Sequence, residues 1–172
     1  MGRRTPKAAA AKPPVRDRPS AALYAAMQST PEMEAIWSAP ATLQAMLDVE
    51  AALAQAQSRR RLIPVRAARS IARACDAALF DAAGLGERAR LAGNLAIPLV
   101  AALTERVARA DAAAARFVHW GATSQDIVDT GAILQLRRAL AAIELDLTAL
   151  MGGLRRLAQR HRVLAGRGRG PR

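Results

Sequence analysis

Aromatic residues make up only 3% of this 172-residue chain, with two Trp, one Tyr and two Phe. A core without ring clusters must be filled by small aliphatic side chains, which favours close helix packing. The β-branched and aromatic residues that favour strands are scarce beside Ala and Leu, so the expected fold class is all-α. Cysteine occurs once, at Cys75. No internal disulfide can form, which fits a reducing compartment and a cytoplasmic protein, and a small buried side chain is expected there rather than a nucleophile. Histidine occurs twice, at His119 and His161. No His/Cys/carboxylate cluster has ligand spacing, so no metal is expected. No charge-free apolar run reaches the ~18 residues of a membrane span. The first twenty residues lack the apolar centre of a secretory signal.

What is abundant is positive charge, and its placement matters more than its size. The formal net charge is +12. Residues 1–20 carry six basic groups against Asp17, and residues 155–172 carry seven arginines and no acid. The body between them balances at thirteen basic and thirteen acidic groups. A neutral body with basic ends does not predict a specific nucleic-acid surface; solvated tails are the expected reading.

Pro6, Pro13, Pro14 and Pro19 make residues 1–20 a disordered basic arm. Residues 21–115 read as a helical domain. One helix follows Ser38-Ala39-Pro40 and places Leu43, Met46, Leu47, Glu50, Leu53 and Ala54 on one face. Pro64 separates it from a second helix over 65–79, in which Ile71, Cys75 and Leu79 stand at four-residue steps. Gly84 and Gly86 should break the pattern. The segment from Ala92 through Gly93 and Asn94 enters another helix running to about Ala110, with Pro98 in its first turn. Residues 116–162 contain one long helix, from Ser124 to about Ala158. Its seam of Ile133, Leu136, Leu140, Ile143, Leu147, Leu150, Leu154 and Leu157 alternates three- and four-residue steps. A face this apolar demands several neighbours, so a multi-helix bundle is implied. Gly152-Gly153 predicts close backbone contact or a kink, because glycine costs about 1 kcal/mol relative to alanine within a helix. Residues 163–172 form a Gly/Arg tail.

Polar residues with site chemistry concentrate in Phe117-Val118-His119-Trp120-Gly121-Ala122-Thr123-Ser124-Gln125-Asp126-Ile127-Val128-Asp129-Thr130. Thr123 to Asp126 has the form of a helix-start box, and Ser124 is an equally good cap. Two readings are open at this point. Most such boxes only cap a helix, yet free amides with Thr and Ser hydroxyls also suit a carboxylate or phosphate. Asp126 and Asp129 oppose a bare anion site. Gly93-Asn94 is open in the same way, as an ordinary turn or as a place where amides meet a ligand.

The His-Trp-Gly-Ala-Thr-Ser-Gln-Asp run, with Asp-Thr-Gly after it, resembles the first signature of the fumarase/aspartase superfamily, in the version shared by 3-carboxy-cis,cis-muconate cycloisomerases and adenylosuccinate lyases. Residues 46–54, Leu62-Ile63-Pro64 and residues 92–100 resemble the cycloisomerase group more closely. Adenylosuccinate lyases usually carry His-Asp where this chain has Gly93-Asn94. The resemblance covers residues 23–162. It implies an all-α, cofactor-free homotetramer in which long helices form a shared bundle and each active site combines three segments from three subunits. Carried over by position, Thr123 and Ser124 resemble substrate-carboxylate contacts, Gly93 and Asn94 a second contact, and His119 an assisting group whose favoured role is orientation. Trp120 is expected in the core. The implied reaction is an intramolecular addition of a carboxylate of a tricarboxylate to a double bond, with proton delivery by an enzyme acid.

Family members run to several hundred residues. Their Gly-Arg-Thr segment with its catalytic histidine and their Ser-Ser-x-Met-Pro loop with its catalytic serine have no counterpart in this sequence. It is therefore read as an N-terminal fragment with no catalytic proton-transfer residue of its own, inactive in isolation, and its Gly/Arg end suggests a frameshift or misplaced stop. The alternatives are an adenylosuccinate lyase-type fragment, from purine synthesis, and, in another class, a non-catalytic helical oligomerisation module that docks through the seam of the long helix.

Overall fold

The computed structural model describes residues 27–166, with side chains as far as residue 162. The basic arm at 1–20 and the end of the Gly/Arg tail lie outside the described residues. The chain divides into two units, Met1–Thr30 and Pro31–Arg172. Within the second unit, every regular element among the described residues is helical, in agreement with an all-α class.

A short helix α1, Pro31–Ile36, leads into α2, Ala39–Arg59. The Ser38 hydroxyl accepts from the Ala41 amide at 3.3 Å, and Pro40 occupies the first turn, where its missing N–H is no loss. After Pro64 comes α3, Val65–Ala74. The helix expected over 65–79 therefore stops early, for a local reason. Gln44 of α2 donates to the Cys75 carbonyl at 3.2 Å and accepts from the Ala77 amide at 2.8 Å, while Asp76 accepts from Ala78. These side chains satisfy backbone groups that would otherwise continue α3, and the chain turns through a 3-10 turn at Ala77–Leu79.

Helix α4 covers Ala82–Ala92 and contains Gly84 and Gly86, the residues expected to interrupt it. Its end is set instead by Gly93, at φ 69°, a left-handed conformation suited to glycine. Then follow α5, Ala96–Ala110, the single turn α6, Ala112–Ala115, and α7, Ser124–Gly166. At 43 residues α7 outruns the expected end near Ala158, and a rise of 1.5 Å per residue makes it about 65 Å long.

The core lies where α2 meets α3, α5 and the first half of α7. Leu47, Ile71, Leu85, Leu99, Leu103, Val107 and Ile127 are fully buried, with alanines between them. Helix α7 docks through Ile127, Gly131, Gln135, Ala139 and Ala142. The added methyl of an alanine at Gly131 would lie 3.0 Å from Met46 Cγ and 3.3 Å from the Met46 amide nitrogen, so the helices cross there at backbone contact. Gln135 donates to the Ile36 carbonyl at 2.7 Å and to the Thr42 hydroxyl at 3.0 Å, tying α1, α2 and α7 together.

The leucine seam does not take part in that docking. All eight seam residues from Ile133 to Leu157 are exposed, Leu140 at 55% and Leu154 at 55%. Helix α7 runs through Gly152-Gly153 without a break. An added methyl at either glycine would meet only the Arg156 guanidinium, at 3.4 and 3.9 Å, so the close contact expected there is not made within the described residues.

Candidate functional site

Two side chains on one face of α2 hold the turn that carries the polar run. Glu50 meets His119 Nδ1 at 2.6 Å, and seven residues on, Gln57 donates to the Trp120 carbonyl at 2.5 Å. The turn is further closed by Phe117 N to Ala114 O and Ala122 N to His119 O. His119 has φ 56° and Gly121 φ 69°. A left-handed backbone is uncommon for a side-chain-bearing residue, and the buried Glu50 contact offsets its cost.

Glu50 is 1% exposed, and its Oε2 has no hydrogen-bond partner among the described residues. Burial raises its carboxyl above the ordinary value, against the lowering effect of the His119 hydrogen bond and charge. With Glu50 ionised, Nδ1 is the donor and a neutral ring keeps Nε2 as acceptor; a protonated ring would donate from both nitrogens. Glu50 is the site residue that sequence reasoning missed. Its signal was visible: it is the one acid within the apolar face of α2.

The start of α7 is capped as the Thr-x-x-Asp spacing predicts. Asp126 Oδ2 accepts from the Thr123 amide at 2.8 Å and from its hydroxyl at 2.9 Å, and the Asp126 amide donates to Thr123 Oγ1 at 3.4 Å. These bonds, that from the Thr123 amide first, lower the Asp126 carboxyl below the usual range. Asp129 accepts from Gln125 at 2.5 Å. The acids that oppose an anion site are thus engaged locally, and so is the Thr123 hydroxyl.

Ser124 is placed differently. With His119 it lines a cavity of about 230 Å³ whose other wall is the first turns of α5, Ala96, Ile97 and Val100. Of the four expected contacts, Ser124 alone is in the lining. Asn94 sits just before α5 and its Oδ1 accepts from the Ala96 amide at 2.8 Å, which leaves its amide N–H₂ free to donate to a ligand. Gly93 is exposed beside it. The cavity therefore lies against the starts of two helices, where the dipoles favour an anion, with one hydroxyl and one imidazole on its wall. At this size it matches one end of a ligand, since whole small-molecule sites run to roughly 300–1,000 Å³.

Two further residues are settled by burial. Trp120, expected in the core, is 51% exposed and lies tilted against Phe117, with ring centroids 5.9 Å apart and ring planes at 57°. Its carbonyl, not its ring, is what α2 grips. Cys75 is buried, as expected, and burial pushes its thiol up to about 12, which removes it as a nucleophile near neutral pH.

Comparison with known proteins identifies the family. Residues 25–170 match a lyase family model. The chain is 53% identical over 143 residues to the 3-carboxy-cis,cis-muconate cycloisomerase of Bradyrhizobium diazoefficiens, covering 83% of this chain and 32% of that protein. It is 49% identical to the cycloisomerase of Pseudomonas aeruginosa, over 88% of this chain and 33% of that one. The adenylosuccinate lyase of Methanothermobacter thermautotrophicus is more distant, at 41% over 82% of this chain and 31% of its own length. Among solved structures, the 3-carboxy-cis,cis-muconate lactonizing enzyme of Pseudomonas putida superposes with a TM-score of 0.78 at 46% identity, covering 80% of this chain and 31% of that one. The chain thus spans about a third of the length of the curated relatives it matches. Helix order, turn and motif together place the chain in the lyase family of the fumarase/aspartase superfamily.

Proposed function

We propose that these residues are the carboxylate-gripping part of an enzyme that lactonises 3-carboxy-cis,cis-muconate to 4-carboxymuconolactone in protocatechuate degradation. The observation that carries this reading is the placing of Ser124 and His119 on one cavity against the starts of α5 and α7, in a chain 45–53% identical to cycloisomerases. Ser124 donates to a substrate carboxylate, Asn94 and the Gly93 amide contribute from the neighbouring helix start, and Thr123 fixes the turn while its own hydroxyl serves Asp126. His119, held through Nδ1, orients the substrate with Nε2. The acid that delivers the proton comes from other segments of the family's shared site. These 172 residues alone are therefore inactive, with a tricarboxylate as the substrate of the whole enzyme, no cofactor in the reaction, and a cytoplasmic homotetramer as the working form. The exposed leucine row of α7 supports assembly, and the unpaired Cys75 supports a reducing compartment.

The test is a chimera in which residues 25–162 replace the matching segment of the Pseudomonas putida lactonizing enzyme. Lactonisation of 3-carboxy-cis,cis-muconate is retained, and Ser124→Ala lowers kcat by about a hundredfold, the scale for losing one positioned donor. A folded, tetrameric chimera that cleaves adenylosuccinate and leaves carboxymuconate untouched would refute the assignment, as would full activity in the Ser124→Ala form.

A further inference from the structure

A second concavity, about 880 Å³, lies between α3 and α5 and shares no residue with the Ser124 cavity. Its walls are two arginine rows. Arg66, Arg69 and Arg73 recur on α3 at the three- and four-residue steps that bring side chains to one face, and Arg106 and Arg109 stand three apart on α5. The single acid in the lining, Asp111, is already engaged: it accepts from Arg66 at 2.9 Å and from the Ser70 hydroxyl at 3.3 Å. Arg106 donates to the Leu79 carbonyl at 3.0 Å and lies over the Phe80 ring. Arg69, Arg73 and Arg109 form no ion pair or hydrogen bond with any described residue. The cleft therefore gathers three guanidinium groups without a partner among the described residues in one concave space, although the body as a whole, these arginines included, carries no net charge.

Like charges brought together around a low-dielectric wall repel one another, and an anion that enters relieves the repulsion while its oxygens take paired N–H donors from each guanidinium. We propose that this cleft is a binding site for a compact polyanion bearing two or more phosphate or carboxylate groups, held by Arg69 and Arg73 on one wall and Arg109 on the other. Val65 and Leu79, both exposed in the lining, give it an apolar side against which an organic body can rest. The volume falls within the roughly 300–1,000 Å³ of small-molecule sites. A nucleic acid is the poorer fit, because its phosphates follow an extended track and these arginines face each other across a hollow.

The experiment titrates the full chain by calorimetry with tripolyphosphate in one arm and citrate in the other, at fixed ionic strength. Either ligand saturating at one equivalent sustains the proposal, and the preferred one tells phosphate from carboxylate. Arg69→Ala/Arg73→Ala weakens that binding at least about tenfold, as does Arg109→Ala on the opposite wall, while the exposed Arg88→Ala on α4 leaves it unchanged. Equal affinity in the wild type and both cleft variants would assign the binding to the basic ends and overturn the proposal. So would failure of both small anions to saturate, or saturation by single-stranded DNA alone. None of these outcomes bears on lactonisation, which rests on other residues.

Discussion

Glu50 and His119 are sixty-nine positions apart in sequence and 2.6 Å apart in space, and each is explained by the other. A carboxylate at 1% exposure is tolerable because an imidazole meets it, and a histidine at φ 56° is held because a carboxylate anchors its ring. Removing one partner leaves the other unmatched, so Glu50→Ala costs about 3 kcal/mol in urea unfolding. Glu50→Gln, which keeps the shape and an acceptor oxygen, costs clearly less. Equal losses in the two variants would mean that packing volume, not the polar contact, is what Glu50 supplies. Asp126 gives a pH dependence with a defined sign. Its folded-state carboxyl is lowered by the Thr123 amide and hydroxyl, so the stability it contributes is present above the ordinary aspartate range and is lost as pH falls through that range and below it. The melting temperature of the wild type therefore falls more steeply between about pH 5 and pH 2 than that of Asp126→Asn; parallel curves would remove the cap from the account. The capping box was legible from residue types and spacing alone, because both partners lie within one turn. The Glu50–His119 pair was not, because periodicity places Glu50 on the apolar face without naming its partner.

At the scale of elements, α7 has two faces that do different work. Gly131 lets it lie against α2 at backbone distance, Ala139 and Ala142 are buried farther along the same helix, and the neighbouring row of leucines is exposed. The period of that row was plain in the sequence, but period alone cannot say which of two adjacent rows meets the core. The glycines divide the same way. Gly131→Ala drives a methyl into Met46, which costs about 1–3 kcal/mol and outweighs the gain in helix propensity. Gly152→Ala and Gly153→Ala meet no other element, so each raises the stability of the dilute chain by about 1 kcal/mol. Urea titrations at submicromolar concentration should return opposite signs for the two positions. A loss at Gly152 would place a contact there that these residues do not make by themselves. The early end of α3 has the same origin as the hidden Glu50: Gln44, an unremarkable polar residue in sequence, reaches across to claim backbone groups at Cys75 and Ala77.

For the molecule as a whole, the long unburied stripe on α7 is the main energetic imbalance. Eight apolar side chains from Ile133 to Leu157 are exposed along one helix, far more than a surface carries without a partner. If they pair with other copies, light scattering at tens of micromolar gives the mass of four chains, and Leu147→Glu/Leu154→Glu gives the mass of one with the helical signal of residues 31–142 kept. A monodisperse monomer of the wild type at that concentration would refute assembly through this face. No helix among the described residues is long and apolar enough to cross a membrane, so a bilayer-spanning segment does not account for the stripe.

Composition and period determined the all-α class, the long helix and its seam, because helix propensity and side-chain spacing are properties of neighbouring residues. The run from Phe117 to Thr130 likewise determined the family and the cap, since both depend on a contiguous pattern. Tertiary structure alone decided which residues share a space. It joined Glu50 to His119, set Ser124 against the first turns of α5 and brought two separate arginine rows to one cleft. These are contacts between segments dozens of residues apart, fixed by how closely small side chains allow helices to approach, and no local pattern encodes that distance.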